Sequence, residues 1–398
     1  MVFGILIVRI IMGKLWSLLG RYILPILRHH ARVWGRMTDL FSKCPRNMSN
    51  SQCLHEWVEK FLPDSVSTSE KLLLQPLNGD AGFRHYFRLN TCPPLIAVSA
   101  PPEHENNPSF VSVALLLRQN GIHTPMIYAV DYQQGFLLLE DLGDELLLPQ
   151  LSADTVDVYY AAAETALLSM QKVSVPSGTL PAFDRQRLLD EMNLFPEWFL
   201  VKLLGINLQS ADYELIHDVM NQLVENALGQ PQVFVHRDFH SRNLMLLGGG
   251  ENDEDSEIGV LDFQDAVTGP ITYDLVSLLR DCYIRWPGDY VSQRALSYYH
   301  RAVAVEIAPP VSDKQILRWF DLMGLQRHIK VLGIFSRLYL RDGKPGYLND
   351  LPLVIRYTLE QLEPYPEFDK FKDWLALRVL PELPKQDWFF PWETAGDI

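Results

Sequence analysis

The stretch that most constrains this chain is Val235-His236-Arg237-Asp238-Phe239-His240-Ser241-Arg242-Asn243, with Val260-Leu261-Asp262-Phe263 a short way on. Apolar runs at Val233–Val235, Leu244–Leu247 and Ile258–Phe263 bracket the two pieces and read as short strands. An Asp and an Asn five residues apart therefore sit on a loop between strands, and a second Asp arrives on a neighbouring strand. Each alone would cap a turn or end a strand. Together, in this order and between apolar strands, they form a polar cluster that the fold must assemble.

Such a cluster suits phosphoryl transfer, which needs little covalent help from protein. It needs a carboxylate to orient or deprotonate the attacking hydroxyl, and oxygen ligands for the magnesium that neutralises the phosphates. The spacing His-x-Asp-x-x-x-x-Asn is that of a kinase catalytic loop, with Asp-Phe after a strand as its metal-binding partner. Asp238 is the candidate base, and Asn243 and Asp262 the candidate Mg2+ ligands.

The chain has 398 residues, 47% of them hydrophobic and 21% charged, enough to bury a large core in two lobes. Its net charge of −14 is uneven: residues 1–48 hold eight Lys/Arg and one acidic residue, leaving about −21 on the rest. An acidic body of that size argues against nucleic acid as a partner. The four cysteines, Cys44, Cys53, Cys92 and Cys282, are too scattered to suggest a zinc site or disulfide framework, which fits a reducing cytoplasm. Within residues 1–48 the apolar run Val2–Val8 is broken by Arg9, and Lys14 and Arg21 follow, so no run reaches spanning length. Three readings stay open there: an extension ahead of a start at Met37 or Met48, a basic amphipathic helix making weak membrane-surface contact through residues 1–36, or a true anchor.

Beyond it, Lys71–Leu77, Arg84–Leu89, Leu95–Ser99 and Phe136–Leu139 read as strands, with a helix at Ser109–Gln119. Val156, Tyr160, Ala163, Leu167 and Met170 draw one apolar helix face, and the chain is mostly helical from there on. Gly248–Glu257 reads as a polar hairpin tip. These signals predict a basic extension at 1–48, a β-rich lobe at 49–142 and a helical lobe at 143–398.

His236–Met245 and Val260–Leu279 resemble the aminoglycoside phosphotransferase and choline kinase superfamily. More closely, the segments GDAGFRHYFRL, SAPPE, LLLEDLGD and GPITYDLVSLLRDCYIRWP resemble the bacterial anomeric N-acetylmuramate/N-acetylglucosamine kinases, over roughly residues 70 to 390. The resemblance implies an α+β, protein-kinase-like two-lobed fold, with a small β-rich N-lobe and a larger, mainly helical C-lobe. It implies transfer of the ATP γ-phosphate, with Mg2+, to the anomeric hydroxyl of an amino sugar, giving a 1-phosphate for peptidoglycan recycling. A cationic acceptor of the aminoglycoside or choline type, and a nucleotide-binding protein without turnover, are the two competing accounts. Oligomeric state is not legible.

Nucleotide contacts are expected from Gly79, Asp80, Ala81, Gly82 and Phe83, where small residues let backbone N–H groups approach phosphate, and from Arg84. Glu140 and Leu142 lie in the expected hinge, with adenine on the backbone edge. One departure stands out: Leu95–Ser99 lacks the lysine that kinases place on the third strand, which leaves Arg84 or Arg88 as substitutes, and Glu103 and Glu105 without an evident partner. Arg280, Asp281 and Tyr283 are the candidate acceptor residues, and Arg280 or Arg285 would suit a sugar carboxylate.

Overall fold

The structure, a computed structural model, describes residues 49–68, 70–77, 82–176, 178–248 and 257–397. The expectations for residues 1–48 lie outside these. Two compact units divide the chain, Met1–Trp57 and Val58–Ile398. Helix α1 (Asn50–Phe61) starts where the Ser49 N–H donates to Gln52 Oε1 at 3.0 Å and the Gln52 N–H donates back to Ser49 Oγ at 3.3 Å. Cys53 is disulfide-bonded, so the cysteines are not all unpaired as their scatter suggests. Among the described residues no helix is long and apolar enough to cross a membrane.

The second unit opens with an antiparallel sheet of β1 (Leu74–Pro76), β2 (His85–Leu89), β3 (Leu95–Ser99), β4 (Ile127–Asp131) and β5 (Phe136–Glu140), in the order β1-β2-β3-β5-β4. β3 and nearly all of β5 are buried, as continuous apolar runs demand when both faces are covered. Helix α2 (Asn107–Gln119) covers one face with Phe110, Val113, Ala114 and Leu117, a spacing of three, one and three residues. The Asn106 side chain caps it by accepting the Ser109 N–H at 3.1 Å. The edge strand β4 is absent from the sequence reading because its residues are all half-buried and show no clear alternation.

Helices then dominate. Short α3 (Leu147–Gln150) precedes α4 (Val156–Gln171), whose predicted apolar face is buried throughout. Next come α5 (Arg185–Met192), a π-helical segment Phe195–Leu203, and α6 (Ser210–Leu228). Two hairpin-like pairs carry the polar loop: β6 (Gln232–Val235) pairs with β9 (Val267–Pro270), and β7 (Leu244–Leu247) with β8 (Glu257–Val260). β8 stops short of the predicted Phe263 because Asp262 takes a left-handed backbone with φ 61°, which no strand accommodates. After α7 (Thr272–Leu279) and α8 (Gly288–Ala304), α9 (Asp313–Asp342) runs for 30 residues and packs against α10 (Leu351–Leu362), α6 and α7. Ser312 caps its start, and Gly343 at φ 66° ends it in the left-handed turn that glycine adopts without strain.

Candidate functional site: a phosphotransferase catalytic loop

The apolar strand β6 delivers the chain to His236, where the loop is pinned from three sides. Asp274, in the first turn of α7, accepts the backbone N–H groups of His236 at 2.6 Å and Arg237 at 3.0 Å. These two bonds hold Arg237 in a left-handed conformation, φ 80°, that costs an ordinary residue about 1 kcal/mol. The Arg237 side chain pairs with Glu191 of α5. His236 is buried, and its Nδ1 accepts the Asp238 N–H at 3.2 Å. Its Nε2 must then carry the proton, donated to the Leu261 carbonyl at 2.9 Å. One neutral imidazole thus ties the Asp238 loop to the residue before Asp262. Burial depresses its pKa to about 4.

Because the unfolded chain protonates this ring near pH 6.5 and the folded chain resists until about 4, His236 contributes stability that is present above about 6.5 and lost as pH falls towards 4. The loss amounts to about 3 kcal/mol over that window. The melting temperature of the wild type should therefore fall further between pH 7 and pH 5 than that of His236→Gln. Equal pH dependence in the two proteins would remove this role.

Asn243 Nδ2 donates to the Asp238 carbonyl at 3.0 Å, which leaves the carboxamide oxygen as the end of the side chain able to ligate a cation. The Leu261 N–H donates to the Asn243 carbonyl at 2.9 Å, placing Asp262 next to Asn243. Asp281, fully buried, accepts the Ser241 N–H at 2.9 Å, the Ser241 hydroxyl, and the Tyr283 N–H at 3.2 Å. The structure thus gathers Asp238, Asn243 and Asp262 as the spacing predicted.

Their electrostatics differ in a useful way. Burial works against ionisation of Asp238, but Lys330, then His240 and Arg237, outweigh it and hold the carboxyl down at about 2. Asp262 is shifted upward, by burial first and by the Asp238 charge second. A half-buried carboxylate, an exposed one that feels its charge, and a carboxamide on the same loop form a set of hard oxygen donors that fits a divalent cation. Among the described residues no group of three or more His, Cys, Asp or Glu is arranged to hold a metal unaided. Magnesium shared with phosphate oxygens does not require one.

Lys330 was not picked out from the sequence. It lies in α9, is 5% exposed, donates to the Tyr273 hydroxyl at 2.9 Å, and stands 3.4 Å from Glu191. A lysine inside Ile329–Phe335, between apolar residues on every helix face, is costly unless paired, and that cost was a readable signal. Glu191 carried no signal, since an acid in a short polar helix looks solvated.

On the nucleotide side, Gly79, Asp80 and Ala81 lie outside the described residues. Of the remainder, Gly82 precedes Phe83, whose N–H donates to Glu105 Oε1 at 3.1 Å and whose ring stacks on His104 at 4.2 Å. Arg84 is buried, lies 3.3 Å from the Glu105 carboxylate, and covers the Phe110 ring at 4.8 Å. Glu105 thereby has the partner that the sequence did not disclose. Arg88 faces elsewhere: it grips Asp141 at 2.5 Å, Asp144 at 2.7 Å and the Gly143 carbonyl at 3.1 Å, clamping the interlobe segment to β2. Of the two arginines, Arg84 is the one close enough to the phosphate side for Tyr86 beside it to feel both its charge and that of Asp262. Glu140 departs from the expected hinge contact. Its N–H donates to the Met126 carbonyl at 2.8 Å, and its carboxylate accepts the Met126 N–H at 3.0 Å and Arg118 at 3.2 Å. Leu142 packs where any side chain at Gly259 would collide with it.

The acceptor candidates separate. Arg280 pairs with Asp321 at 2.6 Å and lies over Phe320, and Arg285 pairs with Glu360 at 2.8 Å. Asp281 braces the loop rather than facing the cleft. Tyr283 borders the loop with its ring, with Arg242 above it at 3.5 Å and His240 edge-on at 5.4 Å.

A five-stranded antiparallel sheet beside a helical lobe, with Asp, Asn and Asp converging on one loop, defines a protein-kinase-like small-molecule phosphotransferase. The chain belongs to the phosphotransferase enzyme family, which matches residues 73–309. It is 41% identical to an N-acetylmuramate/N-acetylglucosamine kinase of Pseudomonas aeruginosa, over 82% of this chain and 96% of that protein. A Neisseria meningitidis protein of the same name is 39% identical, over 72% of this chain and 85% of its own length. Among solved structures, an ethanolamine kinase of Plasmodium vivax superposes with a TM-score of 0.56 at 13% identity, covering 82% of this chain and 98% of that one, which shows the shared fold.

Proposed function

We propose that this chain transfers the γ-phosphoryl group of ATP to the anomeric hydroxyl of N-acetylmuramate and N-acetylglucosamine, giving sugar 1-phosphates of the kind used in peptidoglycan recycling. The observation that carries the reading is the 41% identity spanning 96% of a relative bearing that name. Geometry supports it. Asp238, held ionised, accepts the proton of the sugar hydroxyl as its oxygen bonds to the γ-phosphorus, while the bond from that phosphorus to the bridging oxygen breaks and ADP leaves. Asn243 Oδ1 and Asp262 would hold Mg2+, which when bound offsets charge on the phosphates. Arg84, set against Glu105, takes the place of the missing third-strand lysine. Lys330 and His236 act on Asp238 through position and charge and do not exchange protons with the sugar.

The test is ADP release with ATP and magnesium across N-acetylmuramate, N-acetylglucosamine, glucose, choline and kanamycin. Activity is expected on the two N-acetyl sugars alone, with phosphorus NMR showing a 1-phosphate. Turnover confined to choline or kanamycin would move the chain to a cationic acceptor, for which its acidic body argues. Silence on all five with ATP still bound would leave a nucleotide-binding protein without turnover.

A further inference from the structure

N-acetylmuramate differs from N-acetylglucosamine by a lactyl ether that ends in a carboxylate, so an enzyme that takes the former has a reason to place a cation beside the sugar. The cations around the acceptor side of Asp238 are nearly all engaged. Arg280 is held by Asp321, and Arg285 by Glu360 and Asp397. Lys330 is fixed between Tyr273 and Glu191. Arg327 is buried and donates to Cys282 Sγ at 3.2 Å.

Arg242 is different. It stands four residues after Asp238 in the same loop, half-buried, with its guanidinium carbon 3.5 Å above the Tyr283 ring centre. Among the described residues it makes no hydrogen bond and no ion pair. A guanidinium laid flat on an aromatic ring has its face covered and its N–H donors directed outward in the ring plane. That is the arrangement a carboxylate meets with two parallel bonds, and stacking fixes the fork before the ligand arrives.

The surroundings suit a sugar. Tyr283 continues into an aromatic row, 6.5 Å to buried Phe335 and from there 5.0 Å to Tyr347, whose half-buried ring is the accessible apolar end of the row. His240, edge-on to Tyr283, has a buried Nδ1 with no partner among the described residues, two residues from Asp238. Asp350, at the end of the turn Pro345–Asp350, feels the Arg242 charge without pairing with it. Burial pushes its carboxyl up to about 6, with Arg242 acting in the opposite sense and Asp281 in the same one, and no ion pair joins it to the guanidinium.

The geometry points to Arg242 as the residue that reads the lactyl carboxylate of N-acetylmuramate, with Tyr283 holding its guanidinium flat for a forked bond. This rests on the sugar-kinase reading above and assigns within it the choice between the two sugars. Arg242 acts in binding and takes no part in proton transfer.

The experiment compares kcat/KM for N-acetylmuramate, its neutral methyl ester and N-acetylglucosamine in the wild type, R242Q and R242K. In the wild type, esterification should lower kcat/KM about ten- to a hundredfold, the worth of a charged hydrogen-bond pair. In R242Q the acid and the ester should be equal, and the ratio of N-acetylmuramate to N-acetylglucosamine should fall by the same factor. R242K, which keeps the charge and loses the fork, should fall between. A wild type that treats acid and ester alike overturns the inference with no variant needed, even if R242Q does not fold. So does an acid-to-ester ratio that survives in R242Q or R242K. A wild type inactive on both sugars overturns the proposed function itself, a result distinct from either.

Discussion

Asp238→Ala should lower phosphoryl transfer by roughly 10² to 10⁴-fold, the usual worth of a positioned general base, while MgATP affinity changes by less than about threefold. The carboxyl is held firmly ionised, because Lys330, His240 and Arg237 offset the cost of its desolvation. None of its backbone contacts depends on the side chain: the N–H goes to His236 and the carbonyl accepts from Asn243. Removing the carboxyl therefore leaves the backbone scaffold of the loop in place. Asp238→Asn, of the same shape without the charge, should behave like the alanine variant. ADP release and nucleotide titration measured side by side decide the matter. Retention of a tenth of the activity, or a loss of nucleotide affinity matching the loss of rate, would remove Asp238 from the role of base.

Asp262 should behave in the opposite way, with binding of ATP in magnesium weakened tenfold or more in Asp262→Ala and magnesium-free ATP binding little changed. In the proposed role its carboxyl would gain most from a cation, since desolvation and the neighbouring Asp238 both press it towards the neutral form. Backbone strain needs a control here. At φ 61° alanine loses about 1 kcal/mol that asparagine largely avoids, so Asp262→Asn separates loss of charge from loss of conformation. If both variants bind ATP as well with magnesium as without it, the metal role holds. If Asp238→Ala and Asp262→Ala lose binding equally, the two residues have not been told apart and both assignments fall.

Much of this was open to reading along the chain because its signals are local. Apolar runs such as Leu95–Val98 and Leu137–Leu139 are too continuous to be anything but buried strands, and the four- and three-residue steps from Val156 to Met170 commit that segment to a helix with one buried face. The Asp238-to-Asn243 interval and the arrival of Asp262 just after a following strand are also local, so the phosphotransfer chemistry could be inferred before any coordinate. Chain order alone carries these, since each depends on neighbours a few residues apart.

Partner choice among long side chains depends instead on contacts that close only when distant segments pack. Arg84 meets Glu105 across 21 positions, and Arg88 reaches Asp141 across 53. Lys330 comes to the catalytic carboxylate from a helix some 90 residues downstream. Nothing local distinguishes an arginine that waits for phosphate from one that clamps a hinge, or Arg280 bound to Asp321 from Arg242 lying open on Tyr283. A guanidinium pairs with whichever carboxylate the fold brings within reach, and burial then makes that pairing strong enough to be exclusive. The chemistry of the loop was written in sequence spacing; which cations lie beside it, and which of them an ion pair already holds, was set by packing.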